Sequence, residues 1–214
     1  LIAYGPDRVE RWRVAGVRRP VYFQGTDRLL VVESIRNTMT FLAIDGTIRG
    51  RATLRVPGAA APAPDGGLYV RSQAGLWHVL PDGSWTWLND PPGVSRASSA
   101  LYSLPDGRFF VYAGGGDRAL YAYDAAGGLR WSVTLEGLTG RPFLLADGSG
   151  ALLLADGHGQ IVTVGTDSGA LCNQMHVWGS WRSGAWAGLG PDGVMRLHIG
   201  DQVLGLRWTA FAGG

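Results

Sequence analysis

The side chains of this 214-residue chain that could do chemistry are four histidines, seventeen acids, nineteen basic residues and one cysteine. Their spacing narrows what that chemistry could be. His78, His158, His176 and His198 show no two-residue or four-residue ligand spacing, so no metal site is read from them. Only His158, in the turn ADGHGQ, is expected on a loop. Three acids are glutamates, Glu10, Glu33 and Glu136, and half of the aspartates directly precede glycine, as Asp45, Asp65, Asp82, Asp106, Asp147, Asp156 and Asp192 do. Asp-Gly is turn chemistry. A glycosidase needs two carboxylates facing one pocket, and this distribution offers no such pair. No Gly-x-Ser-x-Gly elbow occurs, and the run Gly114 to Gly116 opens no helix, so neither a hydrolase nucleophile nor a phosphate cradle is read.

The nineteen basic residues are all arginine, which excludes any Schiff-base or phosphate-loop lysine and fits a GC-rich, bacterial genome. The formal charge of +2 is too small for an electrostatic nucleic-acid binder. The lone Cys172 excludes an intrachain disulfide and a cysteine-built zinc site, and it is expected to be a small buried hydrophobe. No apolar run approaches the ~20 residues that cross a bilayer as a helix. The first residues lack the apolar core of a signal peptide, and the absence of an initiator Met suggests part, or a processed form, of a larger protein.

The elements that must position these residues are repeats. LYAYDAAGGLRW (Leu120 to Trp131) matches LIAYGPDRVERW (Leu1 to Trp12), LWHVLPDGSWTW (Leu76 to Trp87) and IVTVGTDSGALC (Ile161 to Cys172) without gaps. FLAIDGTIRG from Phe41 is expected to fit with its turn shortened by two residues. A period of about 40 residues with three turns gives four strands per unit, the pattern of a β-propeller blade. Blades are expected over about Arg18 to Pro57, Ala60 to Asn89, Ser95 to Gly137 and Thr139 to Trp178. A short C-terminal unit would be completed by the N-terminal strands. That gives an all-β propeller of four-stranded antiparallel blades, five-bladed, as a single domain over residues 1–214, with one strand more than five perfect blades need, and an open segment of a larger propeller is the alternative.

Ala122, Asp124, Gly127 and Trp131 carry a shorter-turn variant of A-x-D-x-x-x-G-x-x-x-W, Ala43, Asp45 and Gly46 its front half, and Gly83 and Trp87 its back half. In these residues the chain resembles the PQQ-like propeller family. The resemblance implies that Trp12, Trp87, Trp131 and Trp208 pack between blades, each burying roughly 200 Å². The family includes quinoprotein dehydrogenases, outer-membrane assembly lipoproteins and sensor domains of bacterial kinases. Its dehydrogenases use a vicinal disulfide or a lysine at the quinone, and this chain has neither, so no cofactor is expected. An extracytoplasmic place and a membrane-associated complex are implied by the resemblance alone.

What remains is recognition. Arg19, Arg96, Arg141 and Arg182 precede the innermost strands at similar phase, on the face that carries the Gly114–Arg118 turn, with Asp117 and Arg118, and the turn holding His158. Arginine reads carboxylates bidentately. The expectation is a non-catalytic scaffold that binds a protein partner through this face, with backbone capping as the plainer role for the arginines. Quinoprotein oxidation, carbohydrate stacking on Trp178, Trp181 and Trp186, or glycoside cleavage, is the alternative. Arg49, Arg51 and Arg55, with Arg11 and Arg13, are read as guards of outer edges, with a docking stripe for a partner or an anionic membrane surface as the other reading.

Overall fold

The computed structural model describes residues 2–13, 20–23, 28–33, 38–43, 45–53, 57–72, 75–89, 99–114, 118–139, 142–146, 150–156, 158–176, 186–189, 194–199 and 202–207. All the regular structure among them is β. The first hairpin pairs β1 (Ile2–Tyr4) with β2 (Glu10–Arg13). A four-stranded sheet follows, from β3 (Pro20–Phe23), β4 (Arg28–Glu33), β5 (Thr38–Ala43) and β6 (Ile48–Thr53). The next holds β7 (Pro57–Pro62), β8 (Leu68–Ser72), β9 (Gly75–Val79) and β10 (Trp85–Asn89). The third is β11 (Ser99–Ser103), β12 (Phe109–Ala113), β13 (Ala119–Tyr123) and β14 (Leu129–Thr134). The fourth is β15 (Phe143–Ala146), β16 (Ala151–Ala155), β17 (Gln160–Gly165) and β18 (Leu171–His176). The last sheet has three strands, β19 (Trp186–Leu189), β20 (Val194–Ile199) and β21 (Gln202–Arg207). Each is an antiparallel meander in chain order, the form of a propeller blade.

Contacts group the chain into two compact units. One is Leu1–Pro91 with Pro105–Gly107 and Ala125–Gly127; the other is Pro92–Leu104, Arg108–Asp124 and Gly128–Gly214. In the first, Ala52 packs with Leu68, Val70 and Val79 between the β3–β6 and β7–β10 sheets. In the second, Phe110, Tyr112, Leu120, Leu144, Leu152 and Val162 belong to one core shared by the β11–β14 and β15–β18 sheets. The middle strands β8, β12 and β13 are buried along their whole length, because both faces are covered. The outer strands face solvent; all six residues of β18 are exposed.

Asx turns close the hairpins, as the Asp-Gly pattern implies. The Oδ1 of Asp45, Asp65 and Asp82 accepts a bond from the backbone N–H two residues on, of Thr47, Gly67 and Ser84, at 2.8–2.9 Å, while Asp124, which no glycine directly follows, spans its turn to the Gly128 N–H at 2.8 Å. The Thr47 amide holds the Asp45 carboxyl below its usual value, and the Ser84 hydroxyl (2.7 Å), with the Ser84 amide, does the same for Asp82.

Register corrects three features of the repeat. β2, β6, β14 and β18 each carry a β-bulge at one extra residue, respectively Arg11, Arg49, Arg130 and Cys172. Trp12 then pairs with Ala3, Gly50 with Phe41, Trp131 with Ala122 and Asn173 with Thr163. The β5–β6 turn is therefore not shortened; Gly50 simply stands in the tryptophan position. The β17–β18 turn is one residue longer, closed by Gly165 N–H to Ala170 O where the β13–β14 turn is closed by Asp124 N–H to Gly128 O. Cys172 falls on the bulge and is exposed, which overturns the buried reading. In β10 the bulge is displaced to Leu88, and Trp87 pairs with Trp77 and is 51% exposed.

Among the described residues, β2, β6, β10 and β14 each meet a turn glycine of the following sheet. A Cβ at Gly46 would lie 2.6 Å from Trp12, one at Gly127 2.9 Å from Leu88, and one at Gly169 2.7 Å from Trp131. At Gly83 it would lie 2.2 Å from the Arg51 carbonyl oxygen. All four glycines have φ between +72° and +90°, which L side chains avoid. The glycines thus serve the turn and the close approach together.

Candidate functional site

The end of the sheets opposite the Asp-Gly hairpins carries the β12–β13 turn, the β16–β17 turn and the connection from β14 to β15. Two of the residues expected on this face, Arg118 and His158, are among the described residues. Asp156, which follows β16, is fully buried. Its Oδ1 accepts from the backbone N–H of His158 (2.8 Å) and of Gln160 (3.0 Å). Its Oδ2 accepts from the Thr139 N–H (2.9 Å) and lies 3.0 Å from Thr139 Oγ1. The same hydroxyl oxygen is 2.7 Å from His158 Nδ1. A buried charge needs this number of donors to offset its lost hydration. The result is a chain from a buried carboxylate through a hydroxyl to an exposed imidazole.

Arg118 lies on the neighbouring turn with φ +40° and an exposed side chain. Its carbonyl accepts a 2.7 Å bond from Leu135 N–H, which fixes the turn to the start of the β14–β15 connection. Beneath lies Tyr112, fully buried, its hydroxyl 3.5 Å from Leu138 O. Burial pushes the Tyr112 phenol above its ordinary value; the Arg118 charge opposes the rise and the Asp156 carboxylate adds to it. Arg118 and Asp156 therefore act on one buried hydroxyl from two different turns.

Arg19, Arg96, Arg141, Arg182 and Asp117 lie outside the described residues, as do Trp178, Trp181 and Trp208, and the Trp186 side chain. Trp131 is half-buried, with its Nε1–H donating to Thr166 O at 3.1 Å. Trp12 covers Gly46, Asp124 closes its own turn, and Gly127 is covered by Leu88, not by Trp87. Of the expected edge guards, Arg11 pairs with Asp7 at 2.9 Å and Arg13 with Glu10 at 2.8 Å. Arg11 and Arg49 are bulge residues, so strict alternation along those strands does not hold. His78 lies 3.1 Å from Asp65, and His176 Nδ1 lies 3.2 Å from Gln160 Oε1. No group of three or more His, Cys, Asp or Glu able to hold a metal ion occurs among the described residues. No helix of the described residues is long and apolar enough to cross a membrane.

Thr139, and Asp156 as more than a turn former, were not singled out from the sequence. The readable signal is the Asp-x-His step in ADGHGQ, which offers the Asp156 carboxylate to the His158 N–H. Thr139 gives none, because it reaches Asp156 only through the packing of two sheets.

No family model and no curated protein matches the sequence. The fold itself has many counterparts: 932 chains of solved structures match it, a breadth that carries no single function. One is a protein of unknown function from Bacteroides caccae, at 16% identity and TM-score 0.55, over 77% of this chain and 62% of that one. Another is BamB from Moraxella catarrhalis, at 16% identity and TM-score 0.53, over 81% of this chain and 55% of that one. This chain thus spans roughly three-fifths of the length of the solved structures it resembles. The likeness shows the fold: all-β, of four-stranded antiparallel sheets, as in a β-propeller.

Proposed function

We propose that this chain is a non-catalytic propeller module that holds a protein partner against the face carrying Arg118, Thr139, Asp156 and His158. The observation that carries the reading is Arg118, a non-glycine residue kept at φ +40° with its side chain in solvent. Such conformations cost free energy and gather at functional places. A guanidinium presented there suits a carboxylate of a partner. Asp45, Asp82 and Asp156 are occupied by turn amides, which favours recognition over catalysis. The PQQ-like family that the repeats resemble includes outer-membrane assembly lipoproteins, and the fold likeness to BamB supports that branch. The repeat phase adds Arg19, Arg96, Arg141 and Arg182 to the same face. On this reading residues 1–214 form one five-bladed domain, in which the β1–β2 hairpin and the β19–β21 sheet share a blade.

The test is native mass spectrometry of complexes recovered under mild conditions, with wild type, Arg118→Glu, and the pair Arg141→Ala with Arg182→Ala. The wild type is expected with a stoichiometric protein partner. The substitutions should leave the circular dichroism unchanged and weaken the complex about ten- to a hundredfold per lost charge-assisted contact. Recovery of the wild type always alone, or variants that unfold while their folded fraction binds normally, would sink the proposal.

A further inference from the structure

We infer that His158 is a proton-gated contact of this face, turning outward a second cationic donor for an acidic partner segment as the pH falls. The inference rests on the partner-face reading and specifies the chemistry of the partner. It starts from a hydroxyl with one proton to give. Thr139 Oγ1 lies 3.0 Å from Asp156 Oδ2, and the carboxylate can only accept, so the hydroxyl proton points at Asp156. Oγ1 is then an acceptor toward His158, and the 2.7 Å contact requires a proton on Nδ1. The neutral ring is thereby held as the Nδ1–H tautomer, and its bare nitrogen is Nε2, on a residue exposed to solvent.

The consequence concerns where the next proton goes. Uptake from solvent can occur only at Nε2, because Nδ1 already carries its proton. The new N–H therefore faces away from Thr139 and Asp156. The buried Asp156 carboxylate, held by backbone amides of His158, Gln160 and Thr139, fixes the hydroxyl that orients the ring. Among the described residues, the other titratable or charged groups around this turn are Arg118 and Tyr112, Glu136, exposed on the connection that carries Thr139, and His176, bonded to the Gln160 side chain. With Arg118, protonated His158 gives two outward cationic donors, and their complement is a run of carboxylates. Imidazoles change charge between pH 5 and 8, whereas glutamate side chains of a partner stay ionised there.

Two measurements test this. The first needs no ligand: the ¹⁵N shifts of the His158 ring in the labelled chain at pH 8 should report the Nδ1–H tautomer. An Nε2–H tautomer overturns the inference. The second uses a hexaglutamate peptide as probe, titrated calorimetrically at pH 8 and pH 6. Wild type is expected to bind about tenfold tighter at pH 6, the size of one charge-assisted contact. His158→Gln should flatten that response, and Thr139→Val should reduce it by freeing the ring. Arg118→Ala should weaken binding at both pH values. A tenfold response that persists in His158→Gln overturns the inference, as does binding by wild type with a flat profile, which leaves the partner face standing. Absence of binding by wild type at both pH values overturns the acidic-segment site and the partner face together.

Discussion

Tryptophans of one repeat class hold unequal positions here, and their side chains should differ in energetic weight accordingly. Trp131 lies on Gly169, donates to Thr166 O and has its ring 5.8 Å from that of Phe110. Trp87 is half in water, and its neighbour Leu88 covers the glycine instead. Trp131→Ala is expected to cost about 2–4 kcal/mol, through a cavity and an orphaned carbonyl. Trp87→Ala should cost less than about 1 kcal/mol, as an exposed substitution does. Urea midpoints at unchanged m-value check the pair. Equal losses would show that coverage of the turn glycine does not set the cost.

The turns test packing between elements. Gly83 and Gly150 have nearly the same backbone, φ +90° and +89°. A Cβ at Gly83 meets the Arg51 carbonyl at 2.2 Å, while one at Gly150 meets nothing within 4 Å. Gly150→Ala should therefore show conformational strain alone, about 1–2 kcal/mol. Gly83→Ala adds a backbone collision between two sheets, so we expect a loss of about 3 kcal/mol or more. A difference below about 1 kcal/mol in chemical denaturation would mean that these sheets part easily at that turn. Much of this level is readable in the sequence, since Asp-Gly steps and apolar strands are local. The bulges are not, because a bulge is chosen by pairing: nothing in WTWLN says that Leu88 is the unpaired residue. The same limit hid the place of Cys172, which one extra turn residue moved off the tryptophan position. At the candidate site, Arg118 and His158 could be picked from their turns. The Asp156–Thr139–His158 chain could not, since residue 139 reaches it from a separate connection.

At the scale of the whole molecule, the strand count is the informative quantity. Among the described residues there are four four-stranded sheets, one of two strands and one of three. The five-bladed proposal assigns the two and the three to one closing blade, which is one strand more than four. The five-bladed proposal predicts a compact disc, with gel-filtration volume and small-angle scattering of a globular protein of 22.8 kDa. For this length the radius of gyration should be about 17 Å. A markedly larger radius with an elongated distance distribution would reject closure within this chain.

The relocated bulges have a consequence for how such a chain can change. Gain or loss of a single residue within a strand normally exchanges every inward side chain for an outward one. Here the β17–β18 turn carries one residue more than the β13–β14 turn, yet Asn173 faces Thr163 as Trp131 faces Ala122. In β10 the bulge sits after Trp87 instead of ahead of it, and Leu88 still reaches Gly127. Small insertions and deletions at the outer hairpins are therefore absorbed without turning a blade inside out. Copies that arose by tandem duplication can drift in length there while their inner strands stay in frame.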